Sequence, residues 1–232
     1  MIARRRPARA LLLHGAGGGG WEWETWRAVF AAHGVDSLAP DLRPAASGIA
    51  ATGLADYRAQ ALQAAGTLGP HPLLVGASLG GLLALATAAR VDCAALVLIN
   101  PLPPWPEARE LPPHTADALL PWRSLGRFEQ TRRALPDADP AARLFAWRRW
   151  RDESGAVLAA ARAGIELPAP ACPMLVIASR DDDDVPCALS LRLARRLAAT
   201  AWRIDGSHAG PLLGSGAAAL ARRAVGWLNC SG

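Results

Sequence analysis

"LLVGASLGGLLALATAA", residues 73–89, runs from a continuous apolar stretch through a glycine–serine turn into a leucine- and alanine-rich segment. Residues 72–78 read as a strand buried on both faces, and residues 79–90 read as a helix. Between them Gly76-Ala77-Ser78-Leu79-Gly80 spells G-x-S-x-G. In that setting the pattern has a mechanical meaning. A serine on a sharp strand-to-helix bend holds its hydroxyl clear of the sheet, and side chains two positions away on either side would collide, so glycines stand at 76 and 80. The helix that follows aims its free N–H groups and the positive end of its dipole at the same place.

Outward from this segment the chain repeats one rhythm. Residues 8–15, 35–40, 94–100, 173–179 and 201–205 are further short apolar runs, mostly continuous rather than alternating. Helix-length segments fall at about 22–33, 54–66, 187–199 and 215–228; within 187–199, Leu189, Leu193 and Leu197 share a face by i, i+4 spacing. Strands alternating with helices predict an α/β three-layer sandwich, with a mostly parallel central sheet of about six strands and helices on both faces. Residues 101–168 break the rhythm, opening with the proline-rich "PLPPWPEARELPP" and carrying Trp122, Trp147 and Trp150. That is too long for a plain crossover. It predicts a helical cap inserted into a core formed by residues 1–100 and 169–232.

A chain of 232 residues suits one such domain. The net charge of +5 comes from arginine alone, since the sequence contains no lysine. These arginines are scattered among acids rather than gathered in a stripe, which argues against nucleic acid as a partner. Cys93, Cys172, Cys187 and Cys230 form no C-x-x-C pair, so neither a zinc site nor a dense disulfide framework is expected, and a reduced cytoplasm is the expected compartment. The arginines before "ALLLHG" imitate a secretion signal, but that apolar part is too short for one. No run approaches the roughly 20 apolar residues that span a bilayer.

A serine hydroxyl needs a base. Among five histidines, His208 in "IDGSHAGP" follows the last strand, which returns it to the sheet edge where Ser78 sits. His33 falls late in a helix, His71 at the opposite end of the sheet, His114 in the cap. A carboxylate must orient the imidazole, and "LVIASRDDDDVP" offers Asp181, Asp182, Asp183 and Asp184; spacing alone does not choose among them.

The order Ser, Asp, His, the "GASLGG" turn, the upstream "LLLHGAGG" (11–18) and the "APDL" of 39–42 together resemble the α/β-hydrolase superfamily. The resemblance spans almost the whole chain outside residues 101–168. It begins directly at the strand bearing His14-Gly15, without the two leading antiparallel strands of larger members. The family's G-x-x-D-x-x-V-P pattern places the acid on Asp182, ahead of Val185-Pro186. Ser179 stands where the family often has glycine, a departure that keeps Asp181 and Asp183 in contention. The resemblance also implies two oxyanion-binding backbone N–H groups, those of Ala16 and Leu79, and a structural His14.

Gly15, Gly17 and Gly20 also spell G-x-G-x-x-G, with Asp41 about where a dinucleotide site wants its acid. That reading leaves the serine bend, the aspartate run and the His208 loop unexplained, so no dinucleotide, metal or other cofactor is expected. The implied activity is hydrolysis of a carboxylic ester or thioester with a small to medium apolar acyl group, through an acyl-enzyme on Ser78. Gly17, Trp21, Trp122 and Trp147 are the expected pocket residues. "HGAGGGGWEWETW" is similar to the start of plant-type methylesterases and hydroxynitrile lyases, but lyases of that group use a cap lysine, which this chain lacks. An acyltransferase, a C–C bond hydrolase or a non-catalytic scaffold would share the same pattern.

Overall fold

The computed structural model describes residues 7–112 and 117–230. Its first half alternates strand and helix: β1 (Arg9–Leu13), α1 (Glu24–Ala32), β2 (Asp36–Leu38), α2 (Leu54–Gly66), β3 (Leu73–Ala77), α3 (Leu79–Ala88) and β4 (Ala95–Ile99). A mixed segment follows, with β5 (Leu119–Leu120), α4 (Phe128–Ala134), α5 (Pro140–Trp147), β6 (Glu153–Ser154) and α6 (Gly155–Ala163). The alternation then resumes through β7 (Met174–Ser179), α7 (Cys187–Arg196), β8 (Thr200–Ile204), α8 (Gly210–Leu213) and α9 (Ala217–Cys230).

Six strands form one sheet in the order β2-β1-β3-β4-β7-β8, and every neighbouring pair is parallel. The six apolar runs are these six strands. Every residue of β3, β4 and β7 is buried, because helices cover both faces of the sheet centre. The edge strands β2 and β8 are partly exposed, which is why their sequences, "DSL" and "TAWRI", are the least apolar.

On one face, Leu12, Val75, Val97 and Ile177 pack against Trp26 and Phe30 of α1 and Ala221 and Val225 of α9. On the other, Leu11, Leu74, Leu98 and Val176 meet α2, α3 and α7, with Leu82, Leu189 and Leu193 at the centre. All ten residues of α3 are buried, as expected of a helix that is apolar all round. The Trp26 indole donates to the Pro211 carbonyl at 2.9 Å, tying α1 to α8, which directly follows the loop that carries His208.

The segment between β4 and β7 carries α4, α5 and α6 and an antiparallel pairing of Leu119 with Ser154 and Leu120 with Glu153. Asp139 caps α5 by accepting from the Ala142 N–H, and Ser154 caps α6 by accepting from that of Val157. Among the described residues no helix is long and apolar enough to cross a membrane.

Candidate active site

Ser78 sits between β3 and α3 at φ +53° and ψ −121°. For a residue with a Cβ this conformation costs about 1–3 kcal/mol and persists only where the surroundings over-determine it. Here the Ser78 N–H donates to the Ile99 carbonyl at 3.0 Å. Its own carbonyl accepts from the N–H groups of Gly81 at 2.9 Å and Leu102 at 3.0 Å. A Cβ on Gly80 would run into the carbonyls of Leu13 and His14, and one on Gly76 into the Gly80 backbone. The two glycines are therefore what lets the bend lie against β1. Among the described residues neither the Leu79 nor the Ala16 backbone N–H finds an acceptor.

His208 lies on the loop between β8 and α8, and its Nδ1 is 2.8 Å from Asp182 Oδ2. A carboxylate only accepts, so Nδ1 carries the proton in this pair and Nε2 is left as the free base. Asp182 itself is fixed: its Oδ1 accepts from the N–H groups of Asp184 at 2.9 Å and Val185 at 2.8 Å, and its side chain is fully buried. Asp181, Asp183 and Asp184 are exposed. Burial alone would lower the basicity of His208; the hydrogen bond and charge of Asp182, with the charge of Asp184, outweigh it and raise the imidazole above its ordinary value. Ligand atoms of Asp182, Asp184 and His208 lie within 4.8 Å of one another, but two of these residues already share a hydrogen bond. Of the other histidines, His33 bonds within its own helix turn and His71 pairs with Asp92 at the surface, while His114 lies outside the described residues.

Ser78 and His208 open into one cavity of about 400 Å³, whose apolar wall includes Ala16, Leu102, Trp122, Leu158 and Leu212. Trp122 lines it and covers Gly17. Gly17, Trp21 and Trp147 are not part of the lining. Trp21 packs edge-on against Phe145 and Trp150, with ring centroids 5.7 and 5.1 Å apart, and Trp147 against Phe128 at 5.6 Å. Trp21 thus packs the glycine-loop turn against the β4–β7 segment, while Trp147 packs within that segment, uses that compete with lining a pocket.

The profile of the alpha/beta hydrolase family matches residues 10–223, nearly the whole chain. The chain belongs to that family. Among solved structures it is similar to a pyrethroid hydrolase from Sphingobium faniae JZ-2, at 19% identity and TM-score 0.72 over 96% of this chain and 97% of the other. It is also similar to a methylesterase from Arabidopsis, at 16% identity and TM-score 0.72 over 94% and 99%. A thermophilic esterase from Thermogutta terrifontis aligns at 22% identity and TM-score 0.66 over 96% and 90%. At these identities the likeness is one of fold. No curated protein matches the sequence.

In this alpha/beta hydrolase the glycine loop is gripped by residues that no local motif announces. The Gly17 N–H donates to Glu153 Oε2 at 2.9 Å, and the Arg151 N–H donates to the Gly17 carbonyl at 2.8 Å. Tyr57 donates its hydroxyl to the other Glu153 oxygen at 2.9 Å. The Arg151 guanidinium donates to the carbonyls of Gly18 at 2.6 Å and Leu42 at 3.0 Å. The opposite loop is held similarly, since Asp137 accepts from the Ser207 N–H at 2.9 Å and hydroxyl at 2.7 Å. Asn100 donates to the His208 carbonyl at 2.8 Å and to the Ser179 hydroxyl at 2.9 Å, which gives the serine in the family's glycine position a partner.

His14 is part of the same grip. Its Nε2 accepts from the Leu42 N–H at 2.9 Å and faces the Arg151 guanidinium at 3.1 Å, so Nδ1 carries the proton and donates to the Gly15 carbonyl at 2.7 Å. Burial first, then Arg151, lowers its pKa to about 4. The unfolded chain takes up this proton near pH 6.5 and the folded chain only near 4, so stability is full above 6.5 and falls as the pH drops between those values. Urea unfolding across that interval is expected to show a loss of about 3 kcal/mol from this group. A His14→Gln variant that keeps the whole pH dependence would refute the assignment.

Proposed function

We propose that the protein is a serine hydrolase of carboxylic esters or thioesters with small to medium apolar acyl groups. The observation that carries this reading is one cavity shared by a serine on a strained bend and an imidazole whose free nitrogen is the Nε2 of His208. Ser78 attacks the acyl carbon while His208 takes its proton. Asp182 holds the imidazole in the accepting tautomer and stabilises the imidazolium that forms. The Ala16 and Leu79 N–H groups, both without another acceptor, receive the oxyanion; each such donor is worth about 3–4 kcal/mol of barrier. His208 then returns the proton to the leaving oxygen or sulfur and activates a water that releases the acid.

The apolar wall and the cavity volume of about 400 Å³ support an acyl group of modest length. The segment of residues 101–168 acts as a cap: it supplies Trp122 and Leu158 to that wall and, through Arg151, Glu153 and Asp137, sets both loops that bear the reacting groups. A fluorophosphonate is expected to label the purified protein to one equivalent at Ser78. A graded panel of chromogenic esters and thioesters is expected to show turnover that falls for long acyl chains. A folded protein that takes up no label and turns over no member of the panel would sink the proposal.

A further inference from the structure

The cavity that holds Ser78 and His208 also holds an acid for which the reaction above has no use. Glu22 is only 6% exposed, yet it lines that cavity. It enters from the turn Gly20–Trp23 and folds back over the glycine loop, so that its Oε2 accepts from the Gly15 N–H at 3.3 Å. A Cβ on Gly18 would collide with this carboxyl, so the glycine there makes room for it. Gly15 in turn backs directly onto the nucleophile: a Cβ at position 15 would stand 3.3 Å from Ser78 Cβ. The carboxyl is thus one backbone amide away from Ser78 and lines the same cavity as Ala16.

The charged and titratable groups that face Glu22 are Arg151, from the loop after α5, and His208, from the loop after β8. Behind His208 stand Asp182 and Asp184. Arg151 gives its guanidinium to Gly18, Leu42 and His14 and makes no ion pair with Glu22 among the described residues. Arg151 thus acts on Glu22 only at a distance, and among the described residues no cation pairs directly with its carboxyl.

We infer that Glu22 is a positioning residue that must stay an uncharged acid for the site to work, bracing Gly15 against Ser78 in that form and opposing the developing oxyanion once ionised. This rests on the reading of Ser78 as the nucleophile. Burial is the largest influence on the carboxyl and, against the smaller pull of the Gly15 N–H, Arg151 and His208, pushes it up to about 8. The uncharged form therefore prevails at neutral pH. Above that value a negative charge appears on the Gly15 N–H, in the cavity that Ala16 also lines, where the tetrahedral intermediate needs to place its own.

The test is the pH dependence of kcat/KM and, separately, of the rate of fluorophosphonate labelling, from about pH 5 to 10, in the wild type and Glu22→Gln. The wild type is expected to lose activity above pH 8, by about tenfold per pH unit as a single essential acid ionises. Glutamine keeps a carbonyl oxygen for Gly15 and cannot ionise, so the variant should lose the alkaline limb while its acidic limb, set by His208, stays in place. A merely structural role would alter rate or stability without removing one limb. Glu22→Ala provides a second reading if the glutamine variant folds poorly: it too should lack the limb, with a lower rate at every pH because Gly15 has lost its brace. A wild type without an alkaline limb, or a Gln or Ala variant that keeps it, overturns the inference. A wild type that takes up no label at all instead overturns the reading of Ser78.

Discussion

Ser78→Ala is expected to lower kcat/KM for an activated ester by about 10⁶-fold, close to 8 kcal/mol of barrier, the scale set by removal of a triad serine. The loss should exceed that of any other single change, because no other hydroxyl or thiol replaces the one at the tip of the bend. What survives would be the contribution of the Ala16 and Leu79 N–H groups and of binding, acting on water as the attacking group. Alanine carries the same backbone penalty as serine at φ +53°, and the hydrogen bonds that hold the bend are made by the backbone. The fold should therefore be kept, and the melting temperature should move by no more than a few degrees. Steady-state kinetics on the two proteins, with labelling as the control, decide the matter. More than about 1% residual activity in the alanine protein would mean that the attacking atom lies elsewhere.

The sheet was legible in the sequence for a physical reason. Strands buried on both faces must be apolar throughout, so β3, β4 and β7 stand out as uninterrupted runs. The segment 101–168 was legible only as an interruption. Its β5–β6 pairing joins two-residue strands more than 30 positions apart, and nothing local distinguishes Leu119–Leu120 or Glu153–Ser154 from loop. A pairing that short exists because tertiary contacts impose it, not because of propensity.

The same division runs through the site. Ser78 and its glycines form a local motif, because the bend is closed by residues a few positions away. Glu153 grips Gly17 across 136 positions and Arg151 grips Gly18 across 133, so neither could be singled out from an acidic or an arginine-rich stretch. Glu22 lay in plain view in "WEWETW" but reads there as an ordinary acid near a helix start. Only its burial distinguishes it. The tryptophans pose the opposite difficulty, because an aromatic beside a glycine loop reads equally well as pocket lining or as packing. Trp21 instead fills the gap between that loop and α5 by stacking edge-on with Phe145.

Asp182→Asn should be nearly as damaging as loss of the base itself, lowering kcat by about 10⁴-fold. The four consecutive aspartates are equal in sequence and unequal in space: only Asp182 is buried, and it meets His208 Nδ1 at 2.8 Å. An asparagine can keep its oxygen on the Asp184 and Val185 N–H groups, which preserves the loop. Its amide nitrogen then faces the imidazole as a donor, so Nδ1 must give up its proton and Nε2 must carry one. An Nε2 that carries a proton cannot take one from Ser78. The same change removes the largest influence raising His208, so the acidic limb of kcat should move to lower pH even as the plateau falls. Asp181→Asn and Asp183→Asn remove exposed charges and should cost less than about tenfold. Asp184→Asn should shift the same limb slightly in the same direction, since its charge also acts on the imidazole, and leave most of the rate intact. Comparable damage from any of these three would place the orienting carboxylate elsewhere in the run and overturn the tautomer on which the proposed proton transfer from Ser78 depends.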